Sequence, residues 1–297
     1  MRGDVFAHIA RQPDSSFVGA WTVFMLRSAF QPIFAFQDGK LKIAAYEGLL
    51  RPTRNDEPVQ PGEFFSKIPA DQRMHVETLS RTVHLLNAGT FLDPSTLIFI
   101  NFDPSVFIDR ALTDKVLRDL RLVLHEAGID HNRIVCEMTE HPARSETTFL
   151  EFVAELRDRG FRIAVDDYGA DDSDIGRIEK MRPDIVKFDA GWTIHLMGTR
   201  PGIALLSTMV SRFQDHGIQI VFEGVEESWQ IEVTEEIGAN MIQGFALARP
   251  QVVPGDFLQA WRHAQERASN AGSRAAGTPH LPVHHRAPAR AFGHRRS

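Results

Sequence analysis

The chain has 297 residues, of which 43% are hydrophobic and 24% charged, and its formal net charge is −6. This length accommodates one large domain or two small ones, and a folded chain of this size buries roughly three quarters of its extended surface. The mild negative charge gives no signal of a polybasic protein that binds nucleic acid polymers or anionic membranes. Partners must therefore be inferred from individual sites.

The beginning of the chain carries no targeting pattern. The apolar stretch at residues 17–26 has about half of the ~20 residues that a membrane span needs. Asp4 and Asp14 interrupt what would be the basic leader of a secretory signal. The single cysteine, Cys136, excludes an intrachain disulfide and favours a reducing compartment. We expect a cytoplasmic protein without a membrane span.

Composition divides the chain into three segments. Residues 1–16 show no periodic pattern and are predicted to be a flexible N-terminus. After Glu266 acidic residues cease, while arginine and histidine continue among Ala, Gly and Pro, so residues 269–297 are predicted to be a disordered basic tail. Residues 17–268 form the folded domain in this interpretation. The two ends are too short to hold a further domain, which favours a stand-alone module.

In chain order the folded segment begins with a hairpin pattern, in which the turn QDGK joins two strand-like halves. Short apolar runs then alternate with stretches of helical period. The predicted strands are KLKIAAYE, TLIFIN, RIVCE, RIAVDD, DIVKFD and IQIVFE. The predicted helices are MHVETLSRTVHLLNAG, LTDKVLRDLRLVLHEAG, TTFLEFVAELRDRG and GIALLSTMVSRFQDHG. Glycine ends several of these helices just before the next strand, as expected for a C-cap.

Alternating strands and helices over about 250 residues are typical of an α/β barrel or an open doubly wound sheet. The sequence has neither a G-x-G-x-x-G nor a G-x-x-x-x-G-K-[ST] motif after a strand, which argues against the usual nucleotide-binding open sheets. These observations favour the α/β barrel over the open sheet.

Each predicted strand ends in polar residues. They are Glu47, Asn101, Glu137, Asp166, Asp167, Lys187, Asp189 and Glu223. A single acid at such a position often caps the next helix or faces water. In a barrel of parallel strands, however, all these ends meet on the face where barrel enzymes place their active sites. The recurrence over nearly all strands therefore predicts a site.

Five carboxylates and an amide in one place would repel one another unless cations neutralise them. Oxygen ligands without His or Cys suit Mg²⁺ or Mn²⁺. The adjacent Asp166 and Asp167 can both reach one site where the chain turns at the end of a strand. One of them can bridge two ions, and paired ions about 3.5–4 Å apart are used for displacement at phosphorus. This pattern favours hydrolysis of a phosphate ester, with the two ions activating a water molecule.

Two basic residues complete the predicted site. Lys187 lies among apolar neighbours, where an unpaired lysine is rare, so we expect its ammonium to be held by the carboxylates. Arg51 follows Glu47 by four residues and offers a planar fork that suits phosphate. An ordinary surface salt bridge explains Arg51 equally well.

The motifs together resemble the EAL domains that hydrolyse cyclic di-GMP. YEGLLRP resembles the family's Glu-Ala-Leu-x-Arg signature, with Gly48 in the alanine place. The further matching segments, in order, are INFDPSVF, CEMTE, VDDYGA, VKFD, FEGVE and QGFALARP. The resemblance runs from about Phe30 to Arg262.

The resemblance implies a TIM-like barrel with an irregular, antiparallel first strand that cuts cyclic di-GMP to linear pGpG with two Mg²⁺ or Mn²⁺ ions. It implies metal ligands at Glu47, Asn101, Glu137, Asp166, Asp167 and Glu223. It implies catalytic roles for Lys187, Glu223 and Glu47, substrate contacts for Arg51, Gln31, Leu49, Gln243 and Asp189, and a loop-stabilising role for Glu140. A homodimer that pairs just after the Asp-Asp loop is the expected assembly.

Two departures from the family pattern bear on activity. The loop after Asp167 reads GADDSDIG, so Asp171, Asp172 and Asp174 replace a small and aromatic segment, and Asp103 stands where serine is common. A noncatalytic cyclic di-GMP receptor and a protein-interaction module are the alternatives to an active enzyme. An enolase-type barrel would also use carboxylates, Mg²⁺ and lysine, but adjacent aspartates fit phosphoryl chemistry better.

Overall fold

The computed structural model describes residues 4–106, 109–139, 145–170, 175–255 and 257. The strands are β1 (Ile9–Arg11), β2 (Phe17–Trp21), β3 (Phe24–Gln37), β4 (Lys40–Arg54), β5 (Glu57–Pro58), β6 (Leu97–Phe102), β7 (Ile134–Thr139), β8 (Arg162–Tyr168), β9 (Ile185–Phe188), β10 (Gln219–Phe222), β11 (Met241–Ile242) and β12 (Gln251–Val252). The α-helices are α1 (Pro61–Ser66), α2 (Arg73–Phe91), α3 (Arg110–Ala127), α4 (Glu146–Asp158), α5 (Ile175–Met181), α6 (Ala190–Met197), α7 (Arg200–Asp215) and α8 (Ser228–Ile237).

Eight strands close into a barrel in the order β3, β4, β6, β7, β8, β9, β10, β11 and back to β3. Strand β3 runs antiparallel to both of its barrel neighbours, β4 and β11, whereas the other neighbours pair in parallel. The predicted α/β barrel with an irregular, antiparallel first strand is therefore confirmed.

The predicted hairpin joins β3 to β4. Gln37 pairs with Lys40, and the two residues between them, Asp38 and Gly39, have positive φ angles of 52° and 69°. Two left-handed residues are what a type I′ turn requires, and Asp-Gly supplies them at low cost. Because of this turn, β3 runs in the direction opposite to that of the other barrel strands.

One inward-facing residue from each barrel strand forms a single buried apolar layer. Its members are Ile33, Ala45, Phe99, Val135, Ala164, Ile185, Val221 and Met241. Because side chains alternate faces along a strand, the residue two positions further toward the mouth also faces inward. This layer therefore forms the apolar floor beneath the mouth of the barrel.

The helices cover the barrel and pack against its outward-facing side chains in one large core. Helix α3 ends at Gly128, which adopts a left-handed C-cap with φ 65°. Gly160 and Gly217 lie just beyond the C-caps of α4 and α7 and also have positive φ. These three glycines confirm the predicted helix ends. Helix α2, by contrast, continues through Gly89 and ends at Phe91.

The N-terminal region differs from the expectation of a flexible segment over residues 1–16. From Asp4 onward the chain forms a short 3-10 turn and then β1, which pairs antiparallel with β2. Strand β2 in turn pairs with β3, so a hairpin of β1 and β2 extends the sheet beyond the barrel. Strand β1 could not be predicted from local composition, because it is held in place by pairing with β2 and not by a periodic pattern of its own. The predicted basic tail, residues 269–297, lies outside the described residues.

Cys136 is fully buried in β7, as its apolar surroundings predict. Among the described helices, none combines the length and the hydropathy that a membrane crossing requires.

Candidate metal and catalytic site

The polar residues of the mouth occupy the inward positions next to the apolar layer. Glu47, Glu137, Asp166, Lys187, Glu223 and Gln243 each follow a layer residue by two positions, and Gln31 precedes one by two on the antiparallel strand β3. The strand register places Gln31 opposite Glu47 and Asn101 opposite Glu137. The barrel thus brings together side chains that lie up to about two hundred positions apart in the sequence.

Lys187 lies at the centre of this group with only 1% of its surface exposed. Its Nζ contacts Glu137 Oε1 and lies 2.6 Å from Glu223 Oε1 and 3.1 Å from Asp166 Oδ1. Glu47 Oε2 is 3.9 Å from the same Nζ. Four carboxylates therefore surround one ammonium group.

Glu47 is held from a second direction by Gln243. Gln243 Nε2 donates a hydrogen bond of 2.7 Å to Glu47 Oε2, and both side chains are buried. Gln31 Nε2 donates to the Ala248 carbonyl at 3.3 Å, which ties β3 to the segment after β11. Gln31 and Gln243, predicted as substrate contacts, thus line the mouth beside Glu47.

Asp166 and Asp167 occupy different environments although they are adjacent. The pairing of β8 with β9 is irregular between Val165 and Tyr168, and Asp167 lies in this bulge with a left-handed φ of 58°. Asp166 is half-buried and faces Lys187, whereas Asp167 is exposed. Bulges redirect side chains at the ends of strands. Because of the bulge, the side chain of Asp167 need not point to the face opposite that of Asp166, as strand alternation would require.

Two acids of the mouth, Glu223 and Glu137, have raised pKa values. Burial, reinforced by Asp166 and Glu47 and opposed by Lys187, raises the pKa of Glu223 to about 8. Burial likewise raises the pKa of Glu137 well above its ordinary value, with Lys187 opposing the shift and Asp166 and Glu47 adding to it. Burial disfavours charge on Lys187, but the surrounding carboxylates outweigh that effect and raise the pKa of Lys187. The ammonium therefore does not fully offset the cost of burying these carboxylates together, and a bound cation would reduce that cost.

We expect the metal-free protein to lose stability as the pH rises from about 5 to about 8. Folded Glu223 holds its proton up to about pH 8, whereas the unfolded side chain releases it near 4.5. The folded state therefore binds more protons in this window, and its free energy of unfolding falls as the pH rises. Urea unfolding in the presence of a chelator measures this slope. Glu223→Gln should flatten the slope, and an unchanged slope in that variant would contradict the assignment.

The donor set fits a hard divalent cation. Glu137, Asp166 and Glu223 each offer a carboxylate oxygen, and these oxygens lie within 4.8 Å of one another. Within the described part of the chain, buried Glu137 Oε2 and Gln243 Oε1 have no hydrogen-bond partner. Clustered carboxylate oxygens and an unsatisfied buried oxygen are the features expected of a site for a hard divalent cation.

A cleft of about 630 Å³ opens beside Glu47. Arg51, Leu49 and Asn101, all predicted site residues, line it together with residues of α2. Arg51 is half-buried and donates to the Leu50 carbonyl at 2.9 Å, and Asn101 is exposed at the end of β6. A volume of this size is in the range of small-molecule sites.

Sequence reasoning missed the charged wall that α2 contributes to this cleft. Arg81 is buried, lies 3.6 Å from Glu77 and packs its guanidinium 4.4 Å from the centre of the Phe102 ring. Burial raises the pKa of Glu77 to about 7 despite two nearby arginines. The available signal was the spacing of Glu77 and Arg81 by one helical turn on the buried face of α2. Asp103 joins this wall, 3.3 Å from Arg73 Nε.

Asp189, predicted as a substrate contact, makes a contact within its own segment. Asp189 Oδ1 accepts a hydrogen bond of 2.8 Å from the Trp192 backbone and caps α6. Glu140 and the acidic loop positions Asp171, Asp172 and Asp174 lie outside the described residues.

The barrel and its polar mouth are found in a chain that matches a known protein family. The profile of the EAL domain family matches residues 25–250, which span the whole barrel. The chain belongs to the EAL domain family. The resemblance inferred from the motifs is thereby confirmed.

Curated relatives of this EAL domain are distant. The chain is 26% identical over 238 residues to the probable cyclic di-GMP phosphodiesterase PdeN of Escherichia coli strain K12, covering 78% of this chain and 44% of PdeN. It is 26% identical over 227 residues to the EAL-domain protein YkuI of Bacillus subtilis strain 168, covering 74% of this chain and 54% of YkuI. The chain thus spans about half the length of these relatives.

Solved EAL structures share the fold. Bacillus subtilis YkuI, solved with cyclic di-GMP and calcium, superposes with a TM-score of 0.67 at 23% identity, covering 84% of this chain and 62% of that one. A standalone EAL protein of Vibrio cholerae O395, solved with cyclic di-GMP, superposes with a TM-score of 0.68 at 23% identity, covering 80% of this chain and 98% of that one.

Proposed function

We propose that this EAL domain is a metal-dependent phosphodiesterase that hydrolyses one phosphodiester bond of cyclic di-GMP to give linear pGpG. The observation that carries the proposal is the buried Lys187 among Glu47, Glu137, Asp166 and Glu223 at the mouth of the barrel. Family membership and relatives named as cyclic di-GMP phosphodiesterases support the substrate.

In this proposal the acidic residues hold two Mg²⁺ or Mn²⁺ ions. The ligands are Glu47, Asn101, Glu137, Asp166, Asp167 and Glu223. When bound, the ions lower the pKa of water and place positive charge beside the scissile phosphate. The unsatisfied Glu137 Oε2 and the close approach of three carboxylates support this ligand set.

Lys187 and Gln243 organise the acids around the reacting phosphate. The Lys187 ammonium has three donors, and its carboxylate partners keep it charged, so it can steady a phosphate oxygen or orient the attacking water. Gln243 fixes one oxygen of Glu47, and its own buried carbonyl oxygen has no partner among the described residues. Glu223 is proposed both as a ligand and as a catalytic group, because its carboxylate lies 2.6 Å from Lys187 Nζ and close to Glu137 and Asp166.

The cleft beside Glu47 supports the binding of an anionic ligand. Arg51 offers parallel N–H donors that suit two oxygens of one phosphate, and Leu49 supplies an apolar wall. Gln31 and Asp189 are proposed as further substrate contacts, and Glu140 as the residue that stabilises the loop after Asp167.

The decisive experiment is incubation of the purified protein with cyclic di-GMP and Mn²⁺, followed by chromatography. Formation of pGpG supports the enzyme. Binding without turnover supports a cyclic di-GMP receptor, and the absence of both supports a protein-interaction module. A chelator-treated sample is the matched control, because it should lose turnover and regain it when Mn²⁺ is restored.

Arg51→Ala is expected to weaken cyclic di-GMP binding by about tenfold, because a charged hydrogen bond to phosphate contributes about 1.5–3 kcal/mol. The Lys variant should recover only part of this loss, because an ammonium group cannot make two parallel bonds to one phosphate. Calorimetric titration of both variants measures the effect. Unchanged affinity of Arg51→Ala for cyclic di-GMP would contradict the proposed phosphate contact of Arg51.

A homodimer that forms through the surface beyond Asp167 and a cytoplasmic location belong to the same proposal. The resemblance to the family supports the first, and the buried lone Cys136 supports the second. Light scattering of the purified chain tests the dimer.

A further inference from the structure

A buried chain of polar contacts leads from the N-terminal hairpin toward Glu47. The Phe17 backbone N–H donates to Asn87 Oδ1, and Asn87 Nδ2 donates to the Phe17 carbonyl, both at 2.8 Å. Asn87 Nδ2 also lies 3.2 Å from Ser28 Oγ, which lies 2.8 Å from His84 Nδ1. Asn87, Ser28 and His84 are all buried. Each link therefore lies where water cannot replace a lost partner.

The last link of this chain is a close contact between His84 and Gly48. A methyl group added at Gly48 would lie 3.2 Å from His84 Cγ, which is tighter than ordinary van der Waals contact. The signature that YEGLLRP resembles has alanine at this place, whereas Gly48 leaves room for the imidazole ring. Glu47, the carboxylate that Gln243 holds, directly precedes Gly48.

His84 acts in this contact through its packing and not through a change of protonation state. Burial, with the neighbouring Arg51 and Arg81, lowers the pKa of His84 to about 3, so the ring is neutral at physiological pH. Ser28 Oγ accepts a hydrogen bond from Asn87 Nδ2 and shares a second one with His84 Nδ1, in which either group can be the donor. Ser28 therefore holds one edge of the neutral ring in place.

We propose that His84 is a positioning residue for Glu47, and that the hairpin of β1 and β2 sets the position of His84 through Asn87 and Ser28. The hairpin lies ahead of residues 25–250, the part that the family profile matches. A displacement of the hairpin would reach the β4 carboxylate through Asn87 and His84 of α2 and Ser28 of β3. This inference rests on the proposed function in so far as Glu47 binds a cation.

The first test is Ser28→Ala, which removes one hydroxyl without adding bulk. We expect Mn²⁺ affinity to fall by about tenfold, the scale at which loss of groups behind a metal ligand acts. The matched control is Thr234→Val, which removes a buried hydroxyl that donates to the Ile231 carbonyl in α8, away from the mouth. Calorimetry with Mn²⁺ measures the affinity, and hydrogen exchange of a peptide covering residues 45–50 measures the order of β4.

The second test is a double-mutant cycle at the contact itself. Gly48→Ala should lower Mn²⁺ affinity, because the methyl group meets a ring that cannot retreat. His84→Ala should also lower it, because β4 loses its support. In the double variant the methyl group enters the space left by the ring, so we expect affinity about tenfold higher than the two single losses predict.

Each outcome decides the inference. Faster exchange at residues 45–50 in Ser28→Ala, with Thr234→Val unchanged, supports the positioning role. Equal effects of the two variants, or additive losses at positions 48 and 84, would overturn it. If the wild-type protein bound no Mn²⁺, the proposed function would fail, and the exchange measurement alone would still decide the role of His84.

Discussion

Replacing Lys187 with alanine or methionine is expected to lower the turnover of cyclic di-GMP by about 10²–10⁴-fold, the range found when a positioned proton-transfer or charge-stabilising group is lost. The physical reason is that the ammonium lies within 4 Å of four carboxylates and is the charged donor at the centre of the mouth. Steady-state kinetics with Mn²⁺ measures the loss. Methionine keeps most of the side-chain volume. If Lys187→Met and Lys187→Ala lose the same amount of activity, the loss comes from the missing charge and not from altered packing.

The Lys187 variants should still bind Mn²⁺, because every carboxylate remains. Loss of the ammonium leaves the acids without a counter-charge, so added Mn²⁺ should raise the melting temperature of a Lys187 variant more than that of the wild type. A Lys187→Ala protein with most of its activity would refute the assigned role. A Lys187→Met protein that is inactive because it no longer binds Mn²⁺ would place Lys187 in support of the ligands.

Replacing Glu47 with alanine is expected to nearly abolish turnover through loss of metal. Loss of groups that only support a ligand costs about 10–100-fold in affinity, so loss of the ligand itself should cost at least that much. Glu47→Gln is the sharper variant, because its amide can keep a contact with Gln243 while the charge is removed. Calorimetric Mn²⁺ affinity and turnover should fall together in both variants.

The control for Glu47 is Glu155→Ala on α4, which removes an acid that pairs with Arg110 and Arg159 on the outside of the barrel. Its turnover should match the wild type, because pairs of this kind contribute little. Full activity of Glu47→Gln with unchanged Mn²⁺ affinity would remove Glu47 from the ligand set. It would also remove the basis on which His84 is linked to the metal.

Much of the candidate site could be predicted from local pattern because two rules connect sequence to the barrel mouth. Side chains alternate faces along a strand, and the ends of parallel strands share one face. Glu137, Lys187 and Glu223 follow directly from these rules. Asp167 does not, because its direction depends on the bulge between Val165 and Tyr168 and on a left-handed backbone.

Contacts between distant elements escaped prediction for a common reason. Gln243 and Glu47 are 196 positions apart, and only closure of β11 against β3 brings them within hydrogen-bond distance. The charged wall of α2 and the contact of His84 with Gly48 depend on how that helix lies against β4. Helical period shows which face of α2 is buried, but it does not show which strand that face meets.

The amino-acid sequence by itself determined the alternation of strands and helices, the hairpin at Asp38 and Gly39, and the acids and lysine at the strand ends, because these depend on nearest neighbours and on strand period. The tertiary structure alone decided which carboxylate contacts Lys187, how the N-terminal hairpin joins the sheet, and what supports Glu47. Those features depend on distances across a closed barrel, and closure is a property of all eight strands together.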